Sequence, residues 1–269
     1  MNELDINNPQ LPDFIVPGAD EKKQDEPAKI KVIGVGGGGG NAVNHMYHQG
    51  IGGVSFVLCN TDAQALRNSP VPVKVQLGAK GEGAGNIPEV AKKLAEESAA
   101  EVEASFDDNT RMAFITAGMG GGTGTGAAPV VARIAKEKGV LTVGIVTIPF
   151  LFEGEPKILQ AFAGVEEMRK HVDALLVINN ERLCKIYPDL SWTTAFAKAD
   201  DSLSNAARSI AELVSKDGKI NLDFADVRTT LKDGGAAVIS TGSGEGEHRM
   251  SRAIQNALTS PLLKESDIY

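Results

Sequence analysis

From Ile30 onward the chain alternates short runs of large aliphatic residues with longer stretches whose apolar positions recur at three and four. Ile30-Lys31-Val32-Ile33-Gly34-Val35 is the first run, and similar ones fall near 53–58, 72–76, 111–116, 140–147 and 173–178. Short apolar runs bounded by turn residues read as buried strands. The intervening segments near 41–49, 88–105, 129–138 and 157–171 carry the helical spacing. Strand and helix in alternation predict an α/β fold, a Rossmann-like parallel sheet with helices on both faces. Ser191 to Ser215 predicts one long helix, with Phe196, Ala199, Leu203, Ala207, Ile210 and Val214 spaced at three and four. At about 1.5 Å per residue it spans about 37 Å, enough to run the length of a domain. Beyond it the pattern predicts a short helix after Asn221, a strand Ala236-Ala237-Val238-Ile239-Ser240 and an amphipathic helix ending near Ser260-Pro261. That strand reads as lacking neighbours, an exposed edge of an incomplete second α+β domain.

Two of the predicted strands run straight into glycine. Val35 is followed by Gly36-Gly37-Gly38-Gly39-Gly40 and the helix-like Asn41-Ala42-Val43-Asn44-His45-Met46. Thr116 is followed by Ala-Gly-Met-Gly-Gly-Gly-Thr-Gly-Thr-Gly-Ala-Ala, and Pro129 reads as a first-turn residue of the next helix, where a missing N–H is harmless. A glycine-rich turn that ends at a helix start offers free N–H groups and a positive dipole end to an anion. Glycines let the backbone approach that anion, and the hydroxyls of Thr123 and Thr125 can add hydrogen bonds. Gly34, Gly36 and Gly39 also satisfy G-x-G-x-x-G, with Asp62 following the next strand, as in a dinucleotide-binding unit. A nicotinamide site leaves the second glycine run without a role, whereas a nucleotide triphosphate presents more oxygens to cover. No G-x-x-x-x-G-K-[ST] occurs, so the phosphates are assigned to backbone amides and helix ends.

Composition narrows the classes. With 269 residues, 42% of them hydrophobic, the chain can bury a full core, and the length suits one large domain and part of a second. A net charge of −8 argues against a nucleic-acid partner. Cys59 and Cys184 are too few for a disulfide framework and read as inert residues of a reducing, cytoplasmic compartment. No basic apolar leader and no membrane-length apolar run is evident. Residues 1–28, rich in Asp, Glu, Asn, Gln and Pro, read as a disordered acidic arm. His45, His48, His171 and His248 show no ligand spacing, so no metal site is assigned to protein side chains.

Gly118-Met119-Gly120-Gly121-Gly122-Thr123-Gly124-Thr125-Gly126 resembles the signature loop of the tubulin/FtsZ family of GTPases, in its bacterial cell-division form. The resemblance runs from about Ile30 to Leu263. It takes in Asn60-Thr61-Asp62, Gly83-Ala84-Gly85-Asn86, Pro149 to Gly154 and Asn221 to Arg228. It implies a GTP-binding domain over 29–190, a central helix over 191–215, and a catalytic loop with the start of a second domain over 216–269. It implies GTP and GDP as ligands, with Mg2+ bridging phosphate oxygens. It also implies a head-to-tail homopolymer in the cytoplasm at the mid-cell division site. Division-ring and membrane-tethering partners are implied through a tail beyond Tyr269, with no membrane insertion by this chain.

Residue by residue, the resemblance gives the phosphates to Gly36, Gly37, Gly38, Gly39 and Gly40 and to Gly120, Gly121, Gly122, Thr123, Gly124, Thr125 and Gly126, with Ala84 and Gly85 helping. The base falls on Phe196. Asp201 is the guanine-reading carboxylate and Asn41 its assisting amide; a carboxylate can accept together from guanine N1–H and N2–H, a pair adenine lacks. The lesser alternative for Asp201 is a place on a solvated helix face. Glu153 and Asn180 fit ribose contacts or plain turns. Lys157 is assigned a phosphate contact where the family often carries arginine, a substitution that removes the bidentate geometry, and Asp200 stands where the family often carries asparagine. Asn221, Asp223 and Asp226 are the catalytic groups of the family, supplied to the nucleotide of the next subunit. From spacing alone Asp223 and Asp226 read either as paired carboxylates orienting water or as caps of the helix that follows. A fragment that binds GTP and caps filaments without catalysis is the alternative function.

Overall fold

The computed structural model describes residues 29–51, 53–186, 191–215, 224–237 and 242–258. In chain order the elements are β1 (Ile30–Val35), α1 (Gly36–His48), β2 (Val54–Asn60), α2 (Ala63–Asn68), β3 (Val73–Gln76), α3 (Pro88–Glu97), α4 (Ala99–Ala104), β4 (Met112–Gly118) and α5 (Gly122–Glu137). They continue with β5 (Leu141–Ile148), a 3-10 turn at Leu151–Glu153, α6 (Glu155–Arg169), β6 (Ala174–Asn179), α7 (Asn180–Ile186), α8 (Trp192–Ser215), α9 (Phe224–Leu231), β7 (Gly235–Ala237) and α10 (Arg249–Leu258).

All the strands lie parallel in one sheet ordered β3-β2-β1-β4-β5-β6-β7. Ile33 stands between Val57 and Ile115, a register that puts their side chains on one face. That face, with Val35 and Ala117, packs under α5 through Ala127, Val131 and Ala135. Val32, Phe56 and Phe114 point the other way, against Val43 and Met46 of α1 and Leu203 and Ala207 of α8. Chain order reverses between β1 and β4, so the crevice at the carboxyl ends of those strands is the topological switch point of an open α/β sheet. Among the described residues, no helix is long and apolar enough to cross a membrane.

The predicted strands and the long helix are present, but both glycine-led helices begin earlier than the pattern implies. α1 starts at Gly36 rather than near 41, and α5 at Gly122 rather than near 129. The glycine runs are therefore first helical turns, and Pro129 lies inside α5 instead of at its front. One missing helical N–H is outweighed by burial, since Gly126 to Ala132 are all buried. The predicted helix over 88–105 breaks at Ser98, whose hydroxyl turns away to accept from the Gly78 N–H at 2.8 Å. The strand read as lacking neighbours is the other correction. Gly235, Ala236 and Ala237 pair with Ala174, Leu175 and Leu176 of β6, extending the first sheet by an edge strand. Positions 238–240 of that predicted strand lie outside the described residues, as do residues 1–28.

α5 can lie against α3 only because Gly126 has no side chain: a Cβ there would run into the carbonyl oxygen of Pro88. Gly37, in the first turn of α1, faces nothing within 4 Å. Gly126→Ala is expected to cost about 1–3 kcal/mol, lowering the thermal midpoint by about 3–10 °C. Gly37→Ala should leave it within about 2 °C. Circular dichroism melts of the two variants check the contrast; equal midpoints would refute it.

Candidate functional site

The two glycine turns meet. Gly36, with φ +73°, closes β1 onto α1, and a Cβ on it would stand 2.9 Å from the backbone nitrogen of Gly124 in the first turn of α5. Gly38 lies close to Gly118 at the end of β4, and a Cβ on Gly39 would strike the carbonyl of Thr116. The amino ends of α1 and α5 thus converge at the switch point, each with unpaired first-turn N–H groups and neither with a side-chain cap. A third turn joins them: Ala84 is buried, Gly85 and Asn86 have φ +58° and +62°, and α3 starts two residues later at Pro88. The N–H of Ile87 sits 2.8 Å from where a Cβ of Gly122 would be. The three helix starts therefore lie side by side at the switch point, where the first-turn N–H groups of α1 and α5 present a field of the sign that attracts an anion.

Inside the second turn, Thr125 accepts from the Gly120 N–H at 2.9 Å, and Thr123 shares a 2.7 Å hydrogen bond with Thr61. Both hydroxyls expected on phosphate thus already shape the turn. Asp62, the ribose ligand of a dinucleotide reading, caps α2 by accepting from Gln64 and Ala65 at 2.8 and 3.3 Å.

The residues expected to meet the base gather where α8 passes α1. Phe196, half-exposed on α8, meets Phe150 and Phe152 edge-on at 5.3 and 6.1 Å, while those two stack on each other at 4.9 Å. Phe150 and Phe152 had no role in the sequence reading; the signal was the Pro149-Phe150-Leu151-Phe152 run at the end of β5. Asp201 pairs with Lys198 at 3.4 Å and with His45 at 3.0 Å. His45 lies one turn beyond Asn41 on α1, so Asn41, His45 and Asp201 share a neighbourhood. Sequence reasoning weighed His45 only as a metal ligand. Burial, helped by the adjacent Asp201 charge, raises the Asp200 carboxyl to about 6.

Asn180, expected to contact ribose, is 5% exposed, and its side-chain oxygen is buried without a hydrogen-bond partner. Glu153 is already employed: it accepts from the Phe150 N–H at 3.0 Å and pairs with Lys157 at 3.3 Å. The two residues read as separate ribose and phosphate contacts are thus partners of each other. Cys59 lines a cavity of about 50 Å³ beside Asn41 and Asn60, and burial pushes its thiol up to about 12, leaving it unreactive.

Of the three residues expected to be catalytic, Asn221 and Asp223 lie outside the described residues. Asp226 stands in the first turn of α9, which buries Val227 and runs into Asp233. Asp233 pairs with Lys136 at the far end of α5 (3.6 Å), and Gly235 donates to the carbonyl of Asp173 just before β6. The segment that follows α9 is therefore tied at the amino edge of the sheet, opposite the glycine turns.

The model of the Tubulin/FtsZ family, GTPase domain, matches residues 29–188. The chain is 66% identical over 247 residues to the cell division protein FtsZ of Porphyromonas gingivalis, covering 90% of this chain and 54% of that protein. It is 48% identical over 245 residues to FtsZ of Wigglesworthia glossinidia brevipalpis, covering 90% and 64%. It thus spans little more than half to two-thirds of these relatives' lengths. A solved structure, an empty FtsZ dimer from M. jannaschii, superposes with a TM-score of 0.84 at 44% identity, covering 89% of this chain and 71% of the other.

Asp200 generates a pH test. Its carboxyl is raised from 3.8 to about 6 in the folded chain, so folding favours the protonated form. Stability from this group is present below pH 3.8 and is lost as pH rises to about 6. Asp200→Asn removes that loss and should stabilise the nucleotide-free chain by about 1–2 kcal/mol at pH 7.5, after discounting for solvent. The gain should vanish near pH 4. Urea titrations at both pH values check it, and an equal gain at each would rule out the titration as its cause.

Proposed function

The chain belongs to the Tubulin/FtsZ family, and from that premise we propose that it binds and hydrolyses GTP as the nucleotide-carrying part of a filament-forming division protein. The observation that carries this reading is the convergence of the α1 and α5 glycine turns, joined by the turn before α3. Residues 29–190 then act as the GTP-binding domain, 191–215 as the connecting helix, and 216–269 as the catalytic loop, with β7 joined to the first sheet, and the beginning of a second domain after it.

On this reading the γ-phosphate end of GTP lies over the amino ends of α1 and α5, the base packs against Phe196, and Asp201 accepts the guanine N–H pair. Asn180 supplies its unpartnered oxygen to a ribose hydroxyl. Mg2+ entering with the nucleotide would supply charge neutralisation at the phosphates; among the described residues no cluster of three His, Cys, Asp or Glu side chains could hold it apart from the nucleotide. The glycine turns contain no general base. Asn221, Asp223 and Asp226 of a neighbouring copy supply the groups that orient water, with Asp226 presented from the opposite edge of the sheet. Complementary half-sites on opposite edges make a heterologous contact, and one whose rotation does not close yields an open filament. GTP favours the joined state and hydrolysis weakens it, at a cytoplasmic mid-cell ring tethered through other proteins. The alternative reading is a GTP-binding cap without turnover.

Phosphate release from GTP in magnesium buffer, followed against protein concentration with ATP as control, tests the proposal. Specific activity should rise with concentration, ATP should not be turned over, and Asp226→Ala should lower the rate at least about 100-fold with GTP affinity unchanged. Turnover independent of concentration would overturn the shared site; tight GTP binding with no turnover at any concentration would favour the cap.

A further inference from the structure

The second glycine turn is held from behind by one side chain. Gln160, on α6, directs its amide nitrogen at the carbonyl oxygens of Gly120 (3.0 Å), Gly121 (3.2 Å) and, more distantly, Asn86 (3.5 Å). Three acceptors around one end of the side chain fix which end is the NH2, because only that end donates. We propose that Gln160 is the positioning residue of this turn, setting the direction of its N–H groups before nucleotide arrives. The inference rests on the GTP reading above.

The argument is one of peptide geometry. In a planar trans peptide the C=O of one residue and the N–H of the next point in opposite directions. Tying the Gly120 and Gly121 carbonyls to α6 therefore turns the N–H groups of Gly121 and Gly122 away from α6. Gly121 caps α5 and Gly122 is its first residue, so these N–H groups have no acceptor within the helix. Around Gly121 a Cβ would meet only the Asn86 side chain, at 3.8 Å, so the backbone there faces open space. Without a brace, three consecutive glycines sample many orientations, and an anion has to fix them on binding; Gln160 makes that selection in advance. Thr125 fixes the Gly120 N–H in the same way from inside the turn. Gln160 touches the turn through carbonyl oxygens alone, so its influence on nucleotide passes through the peptide planes.

Gln160 is half-buried and borders a cleft of about 590 Å³ between α3, α5 and α6, so a side chain of similar length fits without overpacking. Gln160→Met keeps the length and removes the donor; Gln160→Glu keeps the outline and removes it too. Displacement of a fluorescent GTP analogue by GTP, GDP and guanosine should show GTP and GDP weakened about 10-fold in both variants. Guanosine, which has no phosphate to meet the turn, should change less than about twofold, and nucleotide-free melting should stay within about 2 °C. Unchanged GTP affinity, or equal weakening of GTP and guanosine, would overturn the role of Gln160. Wild-type protein that fails to bind GTP, or binds ATP equally, would instead overturn the GTP reading beneath it.

Discussion

The structure depends on how close two helix starts can come at the switch point of the sheet. α1 and α5 leave adjacent strands, and their first turns touch through Gly36 and Gly124, with Gly38 and Gly39 against β4. Side chains at these positions would push the helices apart by the width of a methyl group or more, and the enclosed donors would no longer face one point. Bringing two positive helix ends together is itself unfavourable, and an anion between them reverses the sign of that interaction. The glycines thus serve packing first; the exposed donors follow from it. Gly37 and Gly121, which meet almost nothing, are the ones left facing the open side.

Most of this was legible in the chain because parallel strands buried on both faces are written as continuous aliphatic runs. Boundaries were less legible. Glycine and proline read locally as loop and helix front, yet Gly36 to Gly40 and Gly122 to Pro129 are helical, because burial of the following Ala and Val residues outweighs weak propensity. The β7 edge strand was misread for a different reason: nothing in Ala236-Ala237 says which strand it will join, and only the tie from Gly235 to Asp173 sets its register on β6. The roles of Glu153 and Lys157 show the same limit. Each was credible as a ligand contact by position, but a carboxylate four residues before a lysine on a turn-helix junction finds that lysine first.

The cluster proposed for the base was legible by residue type and incomplete by partner. Phe196 and Asp201 stood out on the long helix, but the residues that shape them come from elsewhere: Phe150 and Phe152 from the turn after β5, His45 from α1. A histidine was weighed for metal spacing, whereas its neighbour here is a carboxylate across a helix interface. Long-range pairs of this kind leave no periodic trace in the chain.

α5 connects the two edges of the sheet. It begins at the glycine turn and ends at Lys136, which pairs with buried Asp173 at 3.3 Å and with Asp233, beyond α9, at 3.6 Å. These contacts alone are too exposed on the lysine side to hold anything rigidly, since half-exposed ion pairs contribute about 1 kcal/mol or less. Rigidity comes instead from the body of the helix, where Gly124 to Ala132 are buried without interruption and Gly126 is pressed to Pro88. A helix packed this tightly cannot bend locally; it moves as a unit or stays. The glycine turn is therefore fixed to the amino end of one tightly packed helix, while the segment after α9 is joined to its other end through the weak Lys136–Asp233 pair.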